Sequence, residues 1–318
     1  MSQVITFVHP GKEQSVLPEN RKKSPCRNAN GWFRCGWSHN AHGRKFLEDG
    51  GEYVSADGKM HEAKSLCVWC EAEWDTMYRP LSVPPAPGID IYPRRLHKLY
   101  PSIRSLTSGS MNSDPYIFGS QFIYSNCRQK QLAKSPILPG DIILFGSIKM
   151  GRNSQPRSFL LDTVFVASDA KFDVPVTTTL ADIRKACKNR ISDLFEKTVL
   201  VPLKSGNACA TDAEKRRPID FTLYFGASFH AKYQGMYSFA PIRVPGLEPV
   251  CGGDQGYPRL VLTPNNTSGK LRDAINFNIN PRSGVSCKTG CDTRKVWEEL
   301  VKFVFSRGYV CGTGFKEF

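Results

Sequence analysis

The chain has 318 residues, room for one large domain or two ordinary ones. A hydrophobic share of 40% with 23% charged residues excludes bulk disorder, and the absence of any run near ~18 apolar residues excludes a spanning helix. Lys and Arg number 43 against 29 Asp and Glu, a net charge of +14 that favours a polyanionic partner, nucleic acid before others.

The basic residues are dispersed (Arg21-Lys22-Lys23, Arg94-Arg95, Lys185 to Arg190, Lys215-Arg216-Arg217), as on a basic face of a folded body. Met1 to Pro10 lacks the basic flank, apolar run and cleavage site of a signal peptide, so the expected location is cytoplasmic. Eleven cysteines in that setting read as thiols or metal ligands before disulfides.

Residues 10–65 are polar and rich in Gly, Asn, Lys and His, and residues 1–65 are expected to form an N-terminal extension packed on a core domain of residues 66–318. Leu66 to Trp74 is a dense aromatic and acidic strip that predicts a buried strand and its exit. Prolines from Pro80 to Pro101 then punctuate a connection that cannot be a long helix. It carries Arg94, Arg95 and Lys98 among Tyr92, His97 and Tyr100, which suits either a linker or an ordered loop facing a ligand. The runs Tyr116-Ile117-Phe118 and Gln121 to Tyr124 predict two short strands, or one kinked at Gly119. Ile142 to Ser147 and Phe159 to Ala167 are continuous apolar strands joined by a polar loop, which predicts an antiparallel core pair. Thr177, Thr178 or Thr179 caps a helix near 180–196, and Asp292 or Thr293 caps a second near 293–307 with Gly308 as its stop. Between them, residues 221–225, 236–239, 242–244 and 259–262 are short strand candidates. With no βαβ alternation, this predicts a single α+β domain with a central mixed or antiparallel sheet built on 116–124, 141–147 and 159–167, flanked by a few helices.

Four groups carry possible chemistry. Asp162 stands inside an apolar strand, where a carboxylate needs a partner or a shifted pKa. It reads either as a strand Asp facing an amide or lysine, or as a polarised catalytic acid. From Asp114 to Gln129 the rings of Tyr116, Phe118, Phe122 and Tyr124 alternate with the amides Gln121, Asn126 and Gln129. Rings stack a flipped or single-stranded base and amides read its edge, with Arg128 on the backbone; core aromatics are the plainer reading. Glu71 and Glu73, two apart beside Trp69 and Trp74, share a strand face as paired carboxylates or as solvent-facing charges. Cys67 and Cys70 form a lone Cys-x-x-Cys, open to a structural zinc with Cys26, Cys35, His39 and His42, or to two buried thiols. No P-loop, G-x-G-x-x-G, H-E-x-x-H or G-x-S-x-G motif is present, which argues against triphosphate hydrolysis and Rossmann redox chemistry.

These blocks together resemble a bacterial family known by its motifs. They are Trp69, Glu71 and Glu73; Asp114 to Gln129; Gly140 to Ser147; Leu161 to Val166; Tyr224 to Pro241; and Trp297 to Phe315. The resemblance runs with gaps from about residue 66 onward, and it departs at Cys70, where the family has glycine. The family is associated with the nucleotide-modification and phage-defence neighbourhood of bacterial genomes, which includes antiviral DNA glycosylases acting on glucosylated hydroxymethylcytosine. Similarity to those enzymes implies a monomeric, cofactor-free hydrolase that flips and excises a modified cytosine from phage DNA. In that scheme Asp162 is the principal catalytic carboxylate, with Asp114, Glu71 and Glu73 as alternates. Tyr116, Phe118, Gln121, Tyr124, Asn126 and Gln129 hold the base, and Arg94, Arg95, Lys98 and Arg128 hold the DNA backbone. Two other classes stay open: a module that binds the modified base without cleaving, and a nucleotide-processing enzyme.

Overall fold

Gln3–Val8 is apolar on both sides of its pleat, and it forms an inner strand, β1, buried along its whole length. The structure is a computed structural model that describes residues 2–9, 33–35, 44–71, 76–81, 92–99, 115–119, 121–126, 136–150, 157–188, 190–205, 220–246, 257–280 and 284–317. In chain order the further strands are β2 (Phe33–Cys35), β3 (Arg44–Val54), β4 (Met60–Glu71), β5 (Thr76–Pro80), β6 (Arg95–Leu99), β7 (Ile123–Asn126), β8 (Ile142–Lys149), β9 (Ser158–Val166), β10 (Phe172–Val174), β11 (Phe221–Phe225), β12 (Ala240–Ile242), β13 (Leu260–Leu262), β14 (Gly284–Thr289) and β15 (Val310–Phe315). The helices are α1 (Leu180–Ala186), α2 (Asp193–Phe195), which runs through a π-turn at Glu196–Leu200 into α3 (Val201–Ser205), then α4 (Gly269–Ala274) and α5 (Thr293–Ser306). This is an α+β fold. No helix among the described residues is long and apolar enough to cross a membrane.

Three sheets are present among these strands. One runs β13-β9-β8-β1-β14, with β8 and β9 antiparallel as expected and β1 parallel to β8. Period-two alternation splits β1 between two cores: Ile5 and Phe7 enter one, Val4 and Val8 the other. Both cores draw on residues from the start and the end of the chain, so no boundary divides it near residue 170. The second sheet, β10-β11-β7, takes the strand expected at 121–124, which therefore does not share a sheet with β8 and β9. Tyr116 meets it through a bridge to Ile123.

The third sheet holds β12, β15, β3, β6, β5 and β2 in line, with β4 also on β3. Because β4 pairs with β3 from Arg44 to Val54, the opposite edge of β3 is shared, β6 at Phe46 and Leu47 and β15 from Gly51 to Val54. The expectation of an N-terminal extension is corrected here. Residues 3–8 and 44–54 are inner strands, their apolar residues hidden from a sequence reading by the polar segment between them.

The helices follow their local signals. Thr179 caps α1 in a reciprocal box with Asp182. That helix stops at Cys187, and Lys188 adopts a positive φ of 48°, so the single helix expected to 196 is two pieces. Asp292 caps α5, which buries Val296, Leu300 and Val304 at i, i+4, i+8 and ends before Gly308 at φ 71°.

Candidate functional site

Asp162 lies on β9 with its side chain 1% exposed, as is that of Arg259 just before β13. Arg259 Nη2 donates to Asp162 Oδ1 at 2.6 Å and to Ser147 Oγ at 2.8 Å, and its guanidinium carbon sits 4.9 Å from the centre of the Trp69 ring. The group therefore ties together β8, β9, β4 and the approach to β13. No face of the carboxylate is open to a substrate, so the expected catalytic acid is instead half of an internal ion pair. The sequence showed that Asp162 needs a partner; it could not show that the partner stands 97 residues further on.

The aromatic run is also interior. Tyr116, Phe118, Phe122 and Tyr124 are each at most 2% exposed. Tyr116 stands edge-on to Phe118 and Phe195 at 5.4 and 5.0 Å, and Tyr124 lies 5.2 Å from Phe145 and 5.9 Å from Tyr224. These rings stack on protein and leave no face for a base, which corrects their expected role. Gln121 is half-buried, and Asn126 closes β7 opposite Thr222, its side chain outside the described set. Glu71 ends β4 opposite Arg44, with its side chain likewise not described. Asp114, Glu73, Arg128 and Gln129 lie outside the described residues.

Cys67 and Cys70 sit three apart on one strand, an odd spacing that sends them to opposite faces. Cys67 packs with Phe46 and Trp69, and Cys70 with Leu47 and Val68, so the two cannot chelate one zinc between them. Burial pushes the Cys67 thiol well up from its ordinary value, chiefly by desolvation. Among the described residues no group of three His, Cys, Asp or Glu side chains is arranged to hold a metal ion.

Arg94 and Lys98 are exposed and Arg95 is half-buried, its guanidinium 5.9 Å from the Tyr78 ring centre. Within the same strand His97 is fully buried, its Nδ1 2.7 Å from Thr76 Oγ1. Desolvation, then the charges of Lys45 and Arg95, hold that imidazole well below its usual range, so it is neutral. Lys45, beside Cys70 in register, is fully buried as well.

An open concavity among the described residues lies elsewhere, where β15 leaves β3. It is a cleft of 280 Å³ lined by Gly51, Glu52, Glu62, Gly119, Gly314, Phe315, Lys316 and Glu317. Antiparallel pairing sets Glu52 directly opposite Glu62, an arrangement of like charges that costs stability. β15 reaches β3 because of glycine: a Cβ on Gly51 would lie 2.2 Å from Gly314 O. The third wall is held by backbone, with Gly119 N–H donating to Phe315 O at 2.7 Å and Lys316 N–H to Gly50 O at 2.8 Å. Tyr116 Oη donates to Glu317 Oε1 at 2.7 Å and lies 3.2 Å from Ser192 Oγ. Burial, then the Glu317 charge, pushes the Tyr116 phenol far above its ordinary value, so it remains a fixed donor. Asp49, raised by burial and countered by the Gly50 N–H, feels both Lys98 and Lys316. The exposed lysine of β6 and the lysine of the cleft thus share one edge of β3.

Sequence reasoning missed Glu52, Glu62 and Glu317, which stand in ordinary polar surroundings; Gly50-Gly51 inside a strand was the one signal of close backbone approach. No known family model matches the chain, and neither does any curated protein or solved structure.

Proposed function

We propose that this protein binds DNA, takes a modified cytosine out of the stack and hydrolyses its N-glycosidic bond. The observation that carries the reading is an acidic, open cleft on a chain whose net charge is +14. The overall field attracts a polyanion. The cleft is suited to the two parts of the reaction that favour carboxylates. Ionised carboxylates are acceptors only, so Glu52, Glu62 and Glu317 match a ligand rich in hydroxyl donors, as a glucosylated base is. They also stabilise the cationic, oxocarbenium-like sugar that forms as the bond breaks.

In this scheme a cleft carboxylate takes a proton from water as the water oxygen bonds to C1′. The base departs with the electron pair of the C–N bond and then receives that proton. Glu317 is favoured for this step, since Tyr116 fixes its orientation. Lys98 of β6 supplies a phosphate contact on the cleft's side of β3 and Arg94 one just before β6, and Asp162 keeps the scaffold.

The test incubates purified protein with glucosylated hydroxymethylcytosine DNA from phage and with unmodified DNA, then measures abasic sites and released bases. Excision confined to the modified DNA is expected, lost by a few orders of magnitude in Glu317→Gln and reduced in Tyr116→Phe. Binding of modified DNA with every glycosidic bond intact would overturn the catalytic reading in favour of a base-binding module. Nucleotide binding without DNA affinity would favour a nucleotide-processing enzyme.

A further inference from the structure

Between β11 and β12 the chain leaves the sheets as a hairpin whose point carries an unusual backbone. Tyr233 and Met236 exchange both backbone hydrogen bonds at 2.9 Å, around two central residues with positive φ, Gln234 at 49° and Gly235 at 84°. That is the mirror-image turn suited to a two-residue hairpin, in which asparagine or glycine is the usual first residue. Glutamine there is strained, and strain of this kind collects at functional positions.

The point is exposed while its base is rigid. His230, Lys232, Gln234 and Gly235 are exposed, and a Cβ on Gly235 would meet nothing within 4 Å. Beneath them Tyr233 packs on Gly140, where a Cβ would lie 2.7 Å from its ring. Tyr237 stands edge-on to Phe229 and Trp297 at 5.2 and 5.0 Å, and Trp297 Nε1 donates to Tyr237 O at 2.9 Å. Lys232 Nζ lies 4.1 Å over the Phe229 ring, so its charge is held at the hairpin. The hairpin root connects by backbone to Tyr116, the residue whose hydroxyl orients Glu317. Gly226 N–H donates to Phe122 O at 2.8 Å, and the next residue, Ile123, pairs with Tyr116.

From this geometry we infer that the hairpin is a wedge for duplex DNA. Lys232 contacts phosphate and Gln234 enters the stack, filling the space that an extruded base vacates. A cationic, rigid, narrow projection on a basic protein is complementary to a nucleic acid groove, and an inserted side chain offsets the unstacking that base extrusion requires. The inference rests on the DNA reading above and names the part of the chain that opens the duplex.

The test uses the full chain and duplexes carrying 2-aminopurine beside a modified cytosine, whose fluorescence rises on unstacking. Gln234→Gly keeps the turn and relieves its strain, so it folds, and it removes only the inserted side chain. Wild-type protein is expected to bind the duplex at about 50 mM salt and to raise the fluorescence. Gln234→Gly is expected to bind with little change and to lose the rise by about tenfold, and Lys232→Ala to weaken binding and flatten its salt dependence. An unchanged rise in Gln234→Gly, with DNA binding intact, overturns the wedge and leaves the DNA reading standing. Absence of duplex binding by the wild type overturns both.

Discussion

Removing Asp162 separates a structural from a chemical role for the residue. Asp162→Ala removes the carboxylate that faces the Arg259 guanidinium in a site where both side chains are 1% exposed. Breaking a buried ion pair by deleting one partner costs about 3–5 kcal/mol, because the other charge stays desolvated. At about 2.1 cal/mol/K per residue, the unfolding entropy of 318 residues is about 0.67 kcal/mol/K, so the expected drop in Tm is about 4 to 8 °C. Asp162→Asn retains a neutral acceptor for Arg259 and falls less. The double variant Asp162→Leu with Arg259→Met removes both charges and recovers most of the loss, since an apolar replacement of a whole buried pair is often neutral. Scanning calorimetry or a fluorescence melt reads all four proteins. An Asp162→Asn protein with unchanged Tm and abolished base excision would falsify the structural assignment and return Asp162 to the chemistry.

Two further outcomes follow from the same geometry. Gly51→Ala places a methyl 2.2 Å from Gly314 O, so β15 must shift from β3 at the cleft; a loss of about 1–3 kcal/mol by urea unfolding is expected, and a stability equal to wild type would contradict the described packing. His97 is held neutral below its usual 6.5, so the unfolded chain takes up a proton that the folded chain refuses as pH falls through 6.5. Stability is therefore level above that value and declines below it. The urea midpoint is expected to drop between about pH 7.5 and about pH 5.5, and less so in His97→Gln; equal drops in both proteins would assign the effect to other groups.

What the residues determine locally was legible without coordinates. Alternation and apolar runs marked β8 and β9, and side-chain oxygens before apolar periods marked the Thr179 and Asp292 caps, because pleat, helix period and capping are set within a few neighbouring residues. The odd spacing of Cys67 and Cys70 already separates their side chains once Leu66 to Trp69 is read as a strand. Tertiary structure alone decided the rest. β1, and β3 from Gly51 to Val54, became inner strands because partners 130 or more residues away, such as Ile143 beside Ile5 and Cys311 beside Val54, cover them. The aromatic run from Tyr116 to Tyr124 spells the same residues whether its rings meet a base or Phe195, Phe145 and Tyr224. Asp162 announced the need for a cation, and only the chain's path past Trp69 brought Arg259 to it. The cleft was least visible: the β3–β4 pairing sets Glu52 opposite Glu62, but Glu317 joins them only through β15 pairing with β3 across more than 250 residues, and pairing at that range leaves no periodic trace in either segment.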